Sequence, residues 1–169
     1  MATLQLTGYV DDDHAGDADN KRSRTGFIFK LEPAGTISWN SQKQELITLS
    51  STEARFITAS GAVREGLHLT ELLQETKTAM NGSFMLHCDN QSTIKIANKP
   101  GFVNRTKLIA LHYFFVKDEI DKGKVQPTYC QTGEMAADFL TKKLPRQKFQ
   151  YCADLCGVVR KSHVAHLQE

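Results

Sequence analysis

The run LQLTGYVDDD, residues 4–13, decides how the rest of the chain is read. Apolar and polar residues alternate from Leu4 to Val10, as a half-buried strand requires, and the strand runs directly into Asp11, Asp12 and Asp13. Two further strand-like runs follow, TGFIFKL at 25–31 and TISWN at 36–40, joined through Glu32, Pro33, Ala34 and Gly35, the residues of a tight turn. Three consecutive strands predict an antiparallel meander.

Beyond the meander the period changes. From Ser50 or Ser51 to about Glu75 the chain reads as one long helix, with a serine able to cap it and Glu53 in the first turn, where a carboxylate suits the positive end of the helix dipole. Ile57, Val63, Leu67, Leu72 and Leu73, with the small Ala54, Ala59 and Ala62, form its expected buried face. Gly61 and Gly66 lower helix propensity but allow a close approach to a sheet. Asn81-Gly82 reads as a turn, 83–88 as a strand, 90–97 as a short helix and 108–122 as a longer one ended by Gly123. A fifth strand over 125–130, a helix over 134–143 and a last helix over 147–155 complete the order. The expected fold is α/β, with a five-stranded mixed sheet, antiparallel in its first three strands, and helices on both faces.

Composition sets bounds on this reading. The 169 residues suit one domain, and 40% hydrophobic with 24% charged residues are globular proportions. The net charge of +2 says little about partners, because acids gathered in a cleft can hide in a near-neutral total. No apolar run has the roughly 20 residues of a membrane helix, and residues 1–13 lack the pattern of a signal peptide, so an intracellular, cytoplasmic protein with no membrane partner is expected. Cys88 and Cys130 lie in apolar runs and read as buried structural thiols. Cys152, Cys156, His163 and His166 have zinc-ligand composition, but their spacing fits no common finger, and the plain reading is preferred. His87 reads as core-facing in its strand, and His68 and His112 as helical residues without a catalytic role.

Four acids stand at the ends or starts of elements: Asp11, Glu53, Asp89 and Asp138. Such placement suits a metal-dependent phosphodiesterase, because Mg²⁺ prefers oxygen ligands and carboxylates from separate elements can converge on it. Most acids on most proteins only solvate the surface, so position alone does not select these four.

The order of motifs does select them. GYVDDDHAGD at 8–17 resembles the signature G-Y-x-D-A-D-W-A-G-D of copia-type retrotransposon ribonuclease H domains. KRSRTGF at 21–27, SWNSQKQ at 38–44, LSSTEA at 49–54, CDNQS at 88–92 and ADFLTK at 137–142 follow in the family's order, and the likeness covers 8–157. The resemblance implies a ribonuclease H-like fold over 1–157, with 158–169 as a flexible tail. It makes Asp11, Glu53, Asp89 and Asp138 the catalytic, metal-binding carboxylates, holding two Mg²⁺ or Mn²⁺ ions. The implied reaction is endonucleolytic cleavage of the RNA strand of an RNA–DNA hybrid, leaving 5′-phosphate and 3′-hydroxyl ends. Asn90 and Gln91 would reach the minor groove, where 2′-hydroxyls mark the RNA strand. Ser23, Arg24, Thr25, Lys142, Lys143 and Arg146 would contact the backbone. In a Pol polyprotein the domain would follow a reverse transcriptase, and in an active element it would reside in the retroelement particle.

Several positions depart from the pattern. His14 replaces Trp and Arg55 replaces a common Glu; two positions from Glu53 along a helix is nearly the opposite face, so damage to the metal site need not follow. Leu108, Ala110, His112 and Phe114 replace His, Asp, Arg and His, and Gly133-Glu134 replaces Glu-Asp. These changes favour an alternative: a catalytically decayed module of the same fold that binds nucleic acid or serves a structural role. A third reading, an oligomeric scaffold, would need an exposed apolar helix face, for which Phe114, Phe115 and Val116 are the candidates. Tyr9-Val10-Asp11-Asp12 also spells the Y-x-D-D of a polymerase palm, but the chain is too short for fingers, palm and thumb.

Overall fold

The computed structural model describes residues 4–14, 16, 21–45, 48, 50–78, 80, 82–89 and 107–158. The strands are β1 (Gln5–Asp13), β2 (Arg24–Glu32), β3 (Gly35–Lys43), β4 (Phe84–Cys88) and β5 (Val125–Tyr129). The helices are α1 (Ser51–Glu75), α2 (Lys107–Asp121), α3 (Asp138–Thr141) and α4 (Arg146–Leu155), with a short 3₁₀ turn at Thr132–Glu134. The strands form one sheet in the order β3-β2-β1-β4-β5. β1, β2 and β3 pair antiparallel, while β4 and β5 join parallel to β1, so the expected mixed α/β sheet is present.

Strand alternation divides the core between the two faces. Leu6 and Val10 of β1 pack with Phe27, Phe29, Phe84 and Leu86 against Ala59, Ala62 and Val63 of α1 and Val116 of α2. On the other face Tyr9 and Ile28 meet Met135, Ala136, Ala137, Phe139 and Leu140 from the β5–α3 segment and Leu155 and Cys156 at the end of α4. Phe29 and Phe84 are among the fully buried side chains, each contributing about 1.5–3 kcal/mol relative to exposure.

The Ser50 side chain accepts the Glu53 backbone N–H at 3.3 Å, so Ser50 is the cap of α1. Gly66 carries the close approach expected of a small residue: a Cβ there would stand 2.3 Å from the Phe84 ring, whereas one at Gly61 would meet nothing within 4 Å. Leu72, expected inside, is 47% exposed, and Phe56 and Leu69 are buried instead.

The helix expected over 134–143 is broken. Met135, Ala136 and Ala137 are all fully buried, and three consecutive residues cannot share one face of a helix. Met135 is accordingly extended, and α3 is a single turn beginning at Asp138. His87 is not in the core; it lies half-buried and stacks on Tyr9 with ring centroids 4.8 Å apart. The four cysteines are free and buried, and burial pushes the Cys156 thiol up to about 11, which disfavours the thiolate a metal would need. His163 and His166, the short helix expected over 90–97 and all of the tail after Val158 lie outside the described residues. Among the described residues no helix is long and apolar enough to cross a membrane.

Candidate active site

Asp11 and Asp12 are neighbours at the carboxyl end of β1, and strand alternation turns them to opposite faces. Asp11 turns toward α3, where its carboxylate accepts the Thr141 hydroxyl and, at 3.1 Å, the Lys142 ammonium. The same ammonium stands 2.8 Å from Oδ1 of Asp138, and Lys148 Nζ contacts the other oxygen of Asp138. Both acids are almost fully buried, 4% exposed for Asp11 and 1% for Asp138. Desolvation raises the Asp11 pKa, although Thr141 and Lys142 oppose it. Desolvation also acts on Asp138, but hydrogen bonds and charge from Lys142 and Lys148 overcome it and hold this carboxyl below its ordinary value. Lys142 itself is desolvated, yet its two carboxylates raise its pKa.

A glycine makes this arrangement possible. Gly26 of β2 is the register partner of Asp11, and a Cβ there would lie 2.6 Å from Thr141 Cγ2 and 3.1 Å from Leu140 Cβ. Without a side chain at 26, α3 settles onto the strand next to Asp11. Ser41 of β3 fastens it, donating to the Leu140 carbonyl at 2.7 Å.

Asp12 turns toward α1. Its Oδ1 stands 3.5 Å from Nε of Arg55, and both line a cleft with Val10, Asp11, Thr58, Ala59, Cys88 and Asp89 whose free volume is only about 10 Å³. Desolvation pushes the Asp12 carboxyl up to about 7; Arg55 lowers it, while Asp11 and Asp89 raise it further. The neighbouring part of α1 is tied to the meander by Gln44, whose amide donates to Thr25 Oγ1 at 3.0 Å, Thr58 Oγ1 at 3.0 Å and the Ala54 carbonyl at 3.1 Å. Thr25 is the cross-strand partner of Asp12, so this network sits beside the cleft.

Of the four expected acids, Asp11 and Asp138 are joined through Lys142, and Asp11 and Asp89 line one cleft together with Asp12 and Arg55. Glu53 is buried in the first turn of α1. Among the described residues no set of three His, Cys, Asp or Glu side chains is close enough together to hold one ion. Arg55, two positions from Glu53 along α1, meets an acid of another element, Asp12 of β1.

Of the expected backbone contacts, Arg24, Lys142 and Lys143 share an open cleft of about 660 Å³ with Arg22 and Lys43, next to the Asp11 group. Ser23 also lines it but is fully buried, and Thr25 is engaged by Thr58 and Gln44. Arg146 lines a different groove with Gln147, Gln150, Tyr151 and Asp154. Asn90 and Gln91 lie outside the described residues. Sequence reasoning did not single out Arg55, Thr141 or Lys148 as partners of the acids. Alternation along β1 could have pointed to Arg55 and the three-residue spacing from Asp138 to Thr141; nothing local marks Lys148, ten residues on.

The chain is 37% identical over 153 residues to the retrovirus-related Pol polyprotein from transposon TNT 1-94 of Nicotiana tabacum, matching 90% of this chain and 11% of that one. It is 35% identical over 158 residues to the Pol polyprotein from transposon RE1 of Arabidopsis thaliana, matching 94% and 11%. The chain belongs to the copia-type Pol ribonuclease H domains. It spans about a tenth of the length of these curated relatives. No family model matches it. Among solved structures, the N-terminal ribonuclease H domain of a Mycobacterium tuberculosis protein, fused to maltose-binding protein, superposes with a TM-score of 0.60 at 9% identity, covering 90% of this chain and 98% of that one. LC11-RNase H1 in complex with an RNA/DNA hybrid gives 0.56 at 12% identity, covering 81% and 94%. The copia-type domain therefore has the ribonuclease H-like fold.

Proposed function

We propose that this copia-type domain is a divalent-metal-dependent endonuclease that hydrolyses the RNA strand of RNA–DNA hybrids. The observation that carries the reading is the pair of buried carboxylates, Asp11 and Asp138, gathered by a cation at the sheet end beside a cleft lined by five basic residues. The donors proposed to hold Mg²⁺ or Mn²⁺ are Asp11, Glu53, Asp89 and Asp138, an all-oxygen set of the kind these ions prefer. The Lys142 ammonium, 3.1 and 2.8 Å from Asp11 and Asp138, marks the Asp11 group as a place that takes positive charge. When bound, a divalent ion supplies charge stabilisation to a phosphate and lowers the pKa of water.

The chain's own residues supply position. Arg22, Arg24, Lys43 and Lys143 offer a track for a phosphodiester backbone, worth affinity but not sequence preference. Lys142, anchored between two acids, faces that track from the catalytic side. Asn90 and Gln91 are the proposed contacts to the ribose edge of the minor groove, where the RNA strand is distinguished. The hybrid-bound ribonuclease H1 with the same fold supports this choice of substrate. A reverse transcriptase module is the proposed covalent neighbour, as expected for a segment of a Pol polyprotein.

A second reading, a binding-only module, is favoured by one observation: Arg55 stands among the acids where a catalytic ion would need room. Cleavage of an end-labelled RNA strand in a hybrid, with Mg²⁺ and then Mn²⁺, decides between the two. Metal-dependent cutting that disappears in Asp89→Asn is the expected result. A folded wild-type protein that binds the hybrid and cuts in neither metal would establish the second reading instead.

A further inference from the structure

Asp12, next to Asp11 in β1, and Arg55, two residues after Glu53 in α1, meet each other in space. Their side chains are 12% and 33% exposed, so the pair lies partly inside the cleft rather than on open surface. Asp89 lines the same cleft, and so little volume remains, about 10 Å³, that a hydrated ion cannot share it with the guanidinium in its present position. We infer that Arg55 is an internal counter-ion of the Asp12–Asp89 side of the site, and that a divalent cation loads there only by displacing it.

The physical reasoning is charge against charge. A guanidinium is always ionised and presents a rigid planar fork, so it neutralises the carboxylates without any exchange with solvent. An incoming divalent ion must lose water, which Mg²⁺ does reluctantly, and must also expel or lie beside a fixed positive charge. Arg55 has somewhere to go: its partly exposed side chain can swing outward from the first turns of α1, opening to the ion the cleft that Asp11 and Asp89 line beside Asp12. The inference rests on the metal-dependent reading above, and adds a competitor for the metal that the chain itself carries.

The test is metal uptake, read without substrate. Mn²⁺ is titrated into the metal-free protein by calorimetry, for wild type, Arg55→Ala and Arg55→Lys. Arg55→Ala is expected to bind Mn²⁺ about tenfold more tightly than wild type, the scale of losing one nearby like charge. Arg55→Lys, which keeps the charge, is expected to stay within about twofold of wild type. Thermal unfolding without metal confirms that each variant is folded, and Arg55→Gln replaces any that is not. Equal or weaker Mn²⁺ binding by the folded neutral variant overturns this inference alone. No Mn²⁺ uptake by wild type and variants alike overturns both it and the metal-dependent reading.

Discussion

Asp11 and Asp12 are consecutive residues of one strand, both largely withdrawn from water, Asp11 the more completely, and their surroundings treat them differently. On the Asp11 side, a hydroxyl and two ammonium groups converge on two carboxylates, and Asp138 is held below its ordinary pKa. On the Asp12 side, one guanidinium at 3.5 Å faces Asp12 with Asp89 close by, and Asp12 is pushed up to about 7. Burial costs both sides. Desolvation prevails at Asp11 and at Asp12, raising both, while at Asp138 two ammonium groups overcome it; what separates the sides is the number and directness of the compensating donors.

The largest expected effect breaks the compensated side. Lys142→Ala removes the cation shared by Asp11 and Asp138 and should destabilise the protein by about 3 kcal/mol, the low end for a broken buried pair because the lysine is one-third exposed and Lys148 remains. Urea unfolding at pH 7 in metal-free buffer measures it. If Arg55→Ala proved as costly as Lys142→Ala, the contrast between the sides would collapse.

The next effect is smaller and depends on pH. The folded pKa of Asp12 lies above its ordinary 3.8, so folding takes up a proton between about pH 4 and pH 7 and stability falls as pH rises through that window. Asp12→Asn should therefore raise Tm at pH 8, by an amount corresponding to about 2 kcal/mol, and leave it unchanged at pH 4. Asp138 has the opposite sign. Its depressed pKa contributes stability that is present above its unfolded value and is lost as pH falls through the folded one. In Asp138→Asn, the loss of Tm should be greatest at neutral pH and shrink on acidification. A Tm difference for Asp12→Asn that did not change between pH 4 and pH 8 would contradict the assigned environment.

The smallest effect sharpens the comparison. Thr141→Val keeps the volume beside Asp11 and removes only the hydroxyl donor, for an expected cost of about 1 kcal/mol. Chemical denaturation of this variant against wild type isolates the hydrogen bond from the ion pairs.

Much of this architecture is legible in the sequence. Alternation in 4–10, the strand-like run at 25–31, the serine cap and the apolar spacing of α1 come from local physics, and they lead to the right strands and the right long helix. The β5–α3 segment was misread because its apolar residues serve a three-residue plug over Ile28, a tertiary demand that periodicity cannot register. The site was legible in outline for the same reason that the strands were: Asp11, Asp89 and Asp138 stand at element ends. Its partners were not. Lys148 reaches Asp138 from a different helix, and Arg55 was measured against Glu53 along the helix when the relevant neighbour was Asp12 across the interface.

Gly66 has a role at a distance from the acids. The helix α1 rests on the Phe84 ring at this point, some 13 residues and about 20 Å from Glu53. Between the two, Ala59, Ala62 and Val63 seat the same helix on the sheet. Any side chain inserted at 66 would have to part that whole row of contacts, so a methyl group about 20 Å away becomes a handle on how firmly the Glu53–Arg55 end is seated.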